Sequence, residues 1–195
     1  MAVVWSDKVK DVVEMVANGY KKLLSYASAT PASDTLEFIE YLEDFDDLDD
    51  SELIESLATW AGLSYDDFKR VWDGLYDSEK NEALDAIEYR MALAGFEEFL
   101  RRIAYEPDIR RDWDLGKKII NLAKKYVRGK IDIYEFGDDL VDLFWGTEEG
   151  SKLEDNKFSR NFADAVTLMI NYIDEETVKE LVKKYLIDEL EAPWI

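Results

Sequence analysis

Apolar residues recur along the chain at spacings of three and four, which is the period of an amphipathic α-helix. The sustained alternation of apolar and polar positions that is typical of strands is absent. Residues 131–134 are a short strand candidate, but the capping chemistry around them favours the start of a helix. The pattern therefore predicts an all-α fold, an antiparallel array of eight or nine helices joined by short loops, with no significant sheet.

Polar residues and glycines mark the expected helix ends. Ser6, Ser64, Asp132 and Asp174 are predicted N-caps, and a long helix is predicted to start at Ser78. Glycine adopts the left-handed conformation that follows a last helical turn, so Gly62 and Gly129 are predicted to close their helices. The apolar stripes of the predicted helices run over residues 9–27, 36–45, 53–60, 68–76, 83–103, 115–127, 136–144, 158–170 and 178–190.

Large apolar side chains on these stripes are predicted to form the core. We expect burial of Leu57, Trp72, Ile87, Leu122, Phe136, Phe144, Phe162 and Leu181. Trp60 is expected to join the core as well. The tryptophans at helix ends and chain termini, Trp113, Trp145, Trp5 and Trp194, are candidate anchors for a partner surface.

The acidic charge is uneven along the 195 residues. Residues 1–105 hold 10 bases and 24 acids, a net charge of −14, whereas residues 106–195 hold 14 bases and 21 acids, a net charge of −7. Pro107 follows the predicted long helix. We therefore predict an acidic N-terminal helical subdomain over 1–106 and a C-terminal four-helix subdomain over 107–195, with one continuous domain as the alternative.

The composition excludes several kinds of chemistry. The chain has no cysteine and no histidine, which removes thiol nucleophiles, the commonest general base and the usual transition-metal ligands. Residues 44–55 resemble a calcium loop at three positions, but Leu48 and Asp49 stand where that loop needs a ligand and a glycine. We expect no enzymatic activity, no cofactor and no dedicated metal site.

Charge and hydropathy also limit the partners. A net charge of −21 repels nucleic acid and anionic membranes and attracts basic surfaces. No signal-like segment and no apolar run of the length of a membrane span is visible, which favours the cytoplasm. The expected partner is a basic protein, and the sequence leaves its identity and the oligomeric state of the chain open.

The strongest compositional feature lies between Leu23 and Phe68, where thirteen acids occur without a lysine or arginine. Within it, Glu37, Glu40 and Glu43 recur every three residues and share one predicted helix face, although like charges at that spacing destabilise a helix. We predict a partner-binding surface there, with a solvated face kept for solubility as the alternative. Its residues are Glu37, Glu40, Glu43, Asp44, Asp46, Asp47, Asp49 and Asp50.

The second half of the chain carries a further pattern. Residues 120–136 contain a helix that ends in Gly129-Lys130-Ile131, followed by a capped helix with Glu135-Phe136 and, later, residues 143–145 of sequence Leu-Phe-Trp. With the two predicted helices that follow, residues 115–190 resemble bacterial colicin-like immunity proteins of the colicin D type. The resemblance implies an acidic four-helix inhibitor that occupies the positively charged active site of a nuclease toxin. It rests on cap and core positions, so no individual binding residue follows from it.

Together these features predict a non-enzymatic acidic protein that inhibits a basic partner by covering its catalytic or nucleic-acid-binding surface. An immunity protein against a nuclease toxin is the first hypothesis. A phage-encoded nucleic-acid mimic that acts on a host defence or DNA-binding protein is the second, and a structural or adaptor helical protein is the third. Whether the N-terminal acidic surface or the C-terminal half makes the contact remains open.

Overall fold

Helices make up nearly all of the chain that the computed structural model describes, which is residues 6–26, 50–111, 113–145 and 172–192. No strand occurs within these ranges, so the all-α prediction is confirmed for them. The eight α-helices are α1 (Asp7–Tyr26), α2 (Asp50–Ala61), α3 (Tyr65–Asp73), α4 (Asp77–Ala104), α5 (Pro107–Arg111), α6 (Trp113–Val127), α7 (Ile133–Trp145) and α8 (Glu175–Val182). A π-helical segment, Lys183–Glu189, continues α8 directly.

The predicted capping residues begin their helices as expected. Each side chain accepts a hydrogen bond from the backbone N–H three residues later: Ser64 from Asp67 at 3.2 Å, Asp132 from Glu135 at 2.8 Å and Asp174 from Thr177 at 3.0 Å. These bonds satisfy amide groups that a helix start leaves without an internal partner. Gly62 and Gly129 have φ values of 71° and 73°, the left-handed conformation predicted for them.

Three details differ from the predicted pattern. The helix α4 starts at Asp77 rather than Ser78, and Glu79 Oε1 accepts a hydrogen bond from the backbone N–H of Tyr76 at 3.1 Å. The short α5 was not predicted, although a proline suits a first helical position because its missing N–H would lack a partner there. The π-helical segment was not predicted either. The expected stripes at 36–45 and 158–170 lie outside the described residues.

The described residues fall into two compact units, of which the first comprises residues 6–26 and 50–94. Its core is formed by the buried faces of α1, α2 and α3 and the first part of α4, with Leu57, Phe68 and Ile87 almost fully buried. Tyr20 on α1 and Trp60 on α2 meet edge to face with ring centres 4.9 Å apart. Beside them, a Cβ atom at Gly19 would overlap the carbonyl oxygen of Trp60, so a glycine is required where the two helices meet.

The second unit comprises the described residues from Gly95 onwards. Its buried residues come from the end of α4, from α5 to α8 and from the π-helical segment. The rings of Tyr126 on α6 and Phe136 on α7 stack with their centres 4.9 Å apart. The division between the units falls inside α4, whereas the predicted subdomain boundary at Pro107 lies between α4 and α5.

Arg110 joins three chain segments of the second unit. Its guanidinium donates to the carbonyl oxygens of Ala104 at 2.7 Å, Glu189 at 2.8 Å and Ala192 at 3.1 Å. Carbonyl groups at the C-terminal ends of helices lack hydrogen-bond partners within the helix. A planar guanidinium group has several N–H donors and can donate to more than one of these carbonyls at once. Arg110 therefore fixes the end of α4 relative to the end of the π-helical segment.

Most of the predicted core residues that the structure describes are buried. Leu57, Trp72, Ile87, Leu122 and Phe136 are all buried. Leu181 is only partly buried, so that prediction was wrong: the face that α8 buries is centred on Val178 and Val182. Neither the side chain of Phe144 nor any part of Phe162 belongs to the described part of the chain.

Candidate functional site

The predicted partner-binding surface lies almost entirely outside the described residues. Of its eight acids, only Asp50 is described, as the first residue of α2. The structure therefore leaves this surface a prediction. The described residues nevertheless contain another acidic surface, in the second unit.

This second acidic surface lies on α7. The helix buries Ile133, Phe136 and Leu140 against its own unit. Its opposite side exposes acids at spacings of three and four residues, which places them in one row along the helix. We refer to the N-cap residue and the acids of this helix as the α7 acidic face, which consists of Asp132, Glu135, Asp138, Asp139 and Asp142.

Among the described residues, the carboxylates of the α7 acidic face have no basic partner in an ion pair. No lysine or arginine occurs between Lys130 and Lys152, and none of the five acids forms an ion pair with a residue that the structure describes. On other helices, acids do pair with bases: Asp73 lies 2.5 Å from Lys69, and Glu98 lies 2.6 Å from Arg101. The α7 acidic face therefore repels itself and is free to receive cations from outside.

Two exposed aromatic rings accompany these charges in the second unit. The side chain of Tyr134, on α7 itself, is 58% exposed. Trp113, a predicted anchor at the start of α6, is 45% exposed, and Lys117 Nζ lies 5.9 Å from its ring centre. An aromatic ring beside carboxylates is a favourable contact for arginine or lysine, because the face of the ring attracts cations. The side chain of Trp145 is not described.

A surface of the opposite charge lies on α6. Residues 115–131 contain six bases and no acid. Lys124 forms an ion pair with Glu191 at 2.7 Å. The exposed bases of α6 and of the connection that follows it form what we refer to as the α6 basic face: Lys117, Lys118, Lys125, Arg128 and Lys130. The second unit thus carries one positive and one negative helix face.

The phenol of Tyr126 is a perturbed titratable group of the second unit. Burial, together with the negative charge of Glu175, raises the pKa of the Tyr126 phenol, so this group stays protonated at neutral pH. Its hydroxyl makes no hydrogen bond of normal geometry among the described residues. No group of three or more possible metal ligands occurs in the described part of the chain. Nor does any helix described there have the length and apolar character required to cross a bilayer.

Sequence reasoning missed the α7 acidic face because its acids are interspersed with core residues rather than concentrated in a long run. Glu135, Asp138 and Asp142 are separated by three and four positions, and this spacing could have identified them. The denser acidic segment before Phe68 drew the prediction towards the N-terminal half.

The chain was also compared with protein-family models, curated proteins and solved structures, and no significant match was found in any of the three. The resemblance of residues 115–190 to colicin-like immunity proteins therefore stays a prediction.

Proposed function

We propose that this protein is a non-enzymatic inhibitor that covers the basic catalytic or nucleic-acid-binding surface of another protein, and that it acts as an immunity protein against a nuclease toxin. The α7 acidic face is the observation that carries the proposal. A row of carboxylates without ion pairs is costly within one molecule, because like charges repel at this spacing. A basic partner removes that repulsion and supplies counter-charges.

In this mechanism the carboxylates of α7 take the positions of substrate phosphates. Lysines and arginines that normally hold a phosphate backbone would instead meet Glu135, Asp138 and Asp142. Tyr134, on the same helix and largely exposed, supplies apolar contact area to the desolvated part of the interface. The high negative charge of the whole chain accelerates the encounter with a basic protein.

The first experiment identifies the partner. The protein is co-expressed with the product of the open reading frame beside its gene, and the complex is isolated on a tag. If that product is a toxic nuclease, the wild-type protein should protect cells from it and inhibit its activity in vitro. Binding of the purified protein to neither this product nor any basic nuclease would contradict the proposal.

The second experiment locates the contact by charge reversal. Replacing Glu135, Asp138 and Asp142 with lysine should slow association and reduce protection, with an on-rate that depends less on salt. The matched control replaces the exposed acids Glu176 and Glu180 of α8 with lysine. This control variant should change the rate of association little.

A parallel variant tests the predicted N-terminal surface by reversing Glu37, Glu40, Asp44 and Asp47. If this variant loses protection and the α7 variant keeps it, the contact lies on the N-terminal surface. If both variants protect fully, the acidity serves solubility only, and the proposal is wrong.

A further inference from the structure

We propose that the second unit carries a self-complementary interface, through which two copies of the chain associate with the α6 basic face of each on the α7 acidic face of the other. The inference does not depend on the proposed function, because it involves no second protein. It rests on two neighbouring helices with exposed faces of opposite charge.

The helices α6 and α7 pack against each other and are joined by the short connection 128–132. Such a connection between contacting helices makes them antiparallel neighbours. A two-fold axis that is parallel to both helices and lies in front of their exposed faces places α6 of one copy on α7 of the other and repeats the same contact by symmetry. Both contacts then join a positive face to a negative face.

The positions of the charges match along the helices. Counted outwards from Lys130 in the connection, Lys125 and Glu135 each lie five residues away, and Lys117 and Asp142 lie thirteen and twelve residues away. At a rise of about 1.5 Å per residue, each base of one copy faces an acid of the other to within about 2 Å along the helix direction. Lys125, Glu135 and Asp142 form no ion pair with residues described in their own chain.

The size and charge of this interface define what to measure. Two helices about 20 Å long and about 10 Å wide present roughly 400 Å² per copy, which is small for a specific complex, so the dimer is weak and depends on concentration. At about 0.15 M salt the screening length is about 8 Å. The repulsion between acids farther apart than this is largely screened, so the attraction between the two faces in contact outweighs it.

The test is sedimentation velocity of the full chain over a wide range of concentrations at about 0.1 M and about 0.5 M salt. One variant, Lys117→Glu with Lys125→Glu, places acids at the two matched positions of the α6 basic face. The other, Glu135→Lys with Asp142→Lys, places bases at the two matched positions of the α7 acidic face. All four side chains are exposed, and circular dichroism confirms that each variant is folded.

The wild type should dimerise at the lower salt concentration, and the dissociation constant of each variant alone should rise about tenfold or more. An equimolar mixture of the two variants should restore the dimer, because both contacts then join opposite charges. A monomeric wild type, or variants that associate as the wild type does, would overturn the inference. So would an RNA oligonucleotide that binds a monomeric wild type through α6, since that face would then take a polyanion instead of a second copy.

Discussion

Gly19→Ala tests how closely α1 and α2 approach each other. A Cβ atom at this position would overlap the carbonyl oxygen of Trp60 and would lie 3.0 Å from Cα of Ala61. Both atoms belong to the backbone of α2, so no side-chain rotation can make room. The two helices must move apart, and the contact between Tyr20 and Trp60 loosens with them.

Two opposing effects set the magnitude. Overpacking of a well-packed contact costs about 1–3 kcal/mol, and a backbone obstacle places this case in the upper part of that range. Alanine gains up to about 1 kcal/mol over glycine in a helix interior. The net expectation is that Gly19→Ala lowers the free energy of unfolding by about 1–2 kcal/mol, which corresponds to a decrease in Tm of roughly 2–8 °C for a chain of this size.

The assay is urea denaturation followed by circular dichroism, with thermal unfolding as a second measurement. Asn18→Ala is the matched control, because Asn18 is exposed on the same helix and alanine there should be neutral or slightly stabilising. If Gly19→Ala were as stable as the wild type or more so, α1 and α2 could not approach as closely as described.

Substitutions at three further positions have defined expectations. Phe136→Ala should lower the free energy of unfolding by about 3–5 kcal/mol in urea denaturation, because Phe136 is fully buried against Tyr126. Arg110→Ala should lower the free energy of unfolding by about 2 kcal/mol in the same assay. Arg110→Lys should recover less than half of that loss, because one ammonium group cannot donate to all three carbonyl oxygens. Partial burial raises the pKa of Glu98, but hydrogen bonds from Arg101 and Arg102 outweigh it and lower the pKa overall. Glu98→Gln should therefore lower the free energy of unfolding by about 1 kcal/mol at pH 7. The difference should shrink as the pH falls below the ordinary pKa of a glutamate and through the lowered pKa of Glu98 in the folded state; a pH-independent difference would contradict the ion pair.

Local signals were sufficient to predict much of the fold. The N-cap bonds of Ser64, Asp132 and Asp174 and the left-handed Gly62 and Gly129 depend on a few neighbouring residues, so the sequence contains all the information that they need. Burial depends on distant elements instead. Val71 follows the apolar spacing of α3 but is 39% exposed.

The π-helical segment and the candidate site show the same limit. A π-helix inserts an extra residue into a turn, and the apolar spacing of 178–190 does not reveal where. For the α7 acidic face, the sequence contains the acids, but whether they find bases depends on which helices lie beside α7. Only the structure shows that none of these acids forms an ion pair with a base among the described residues.

The continuous helix α4 determines where the gene could be divided. A fragment that begins at residue 107, the predicted boundary, would lack Phe96, Phe99 and Ile103, which are buried residues of the second unit. A fragment that begins at Gly95 would keep them, but it would start in the middle of a helix with its first amide groups unsatisfied. The second unit therefore cannot be moved into another protein by a cut at either position alone. A transferable version would begin near residue 94 with an engineered capping serine or aspartate, which would give the shortened helix a start of its own.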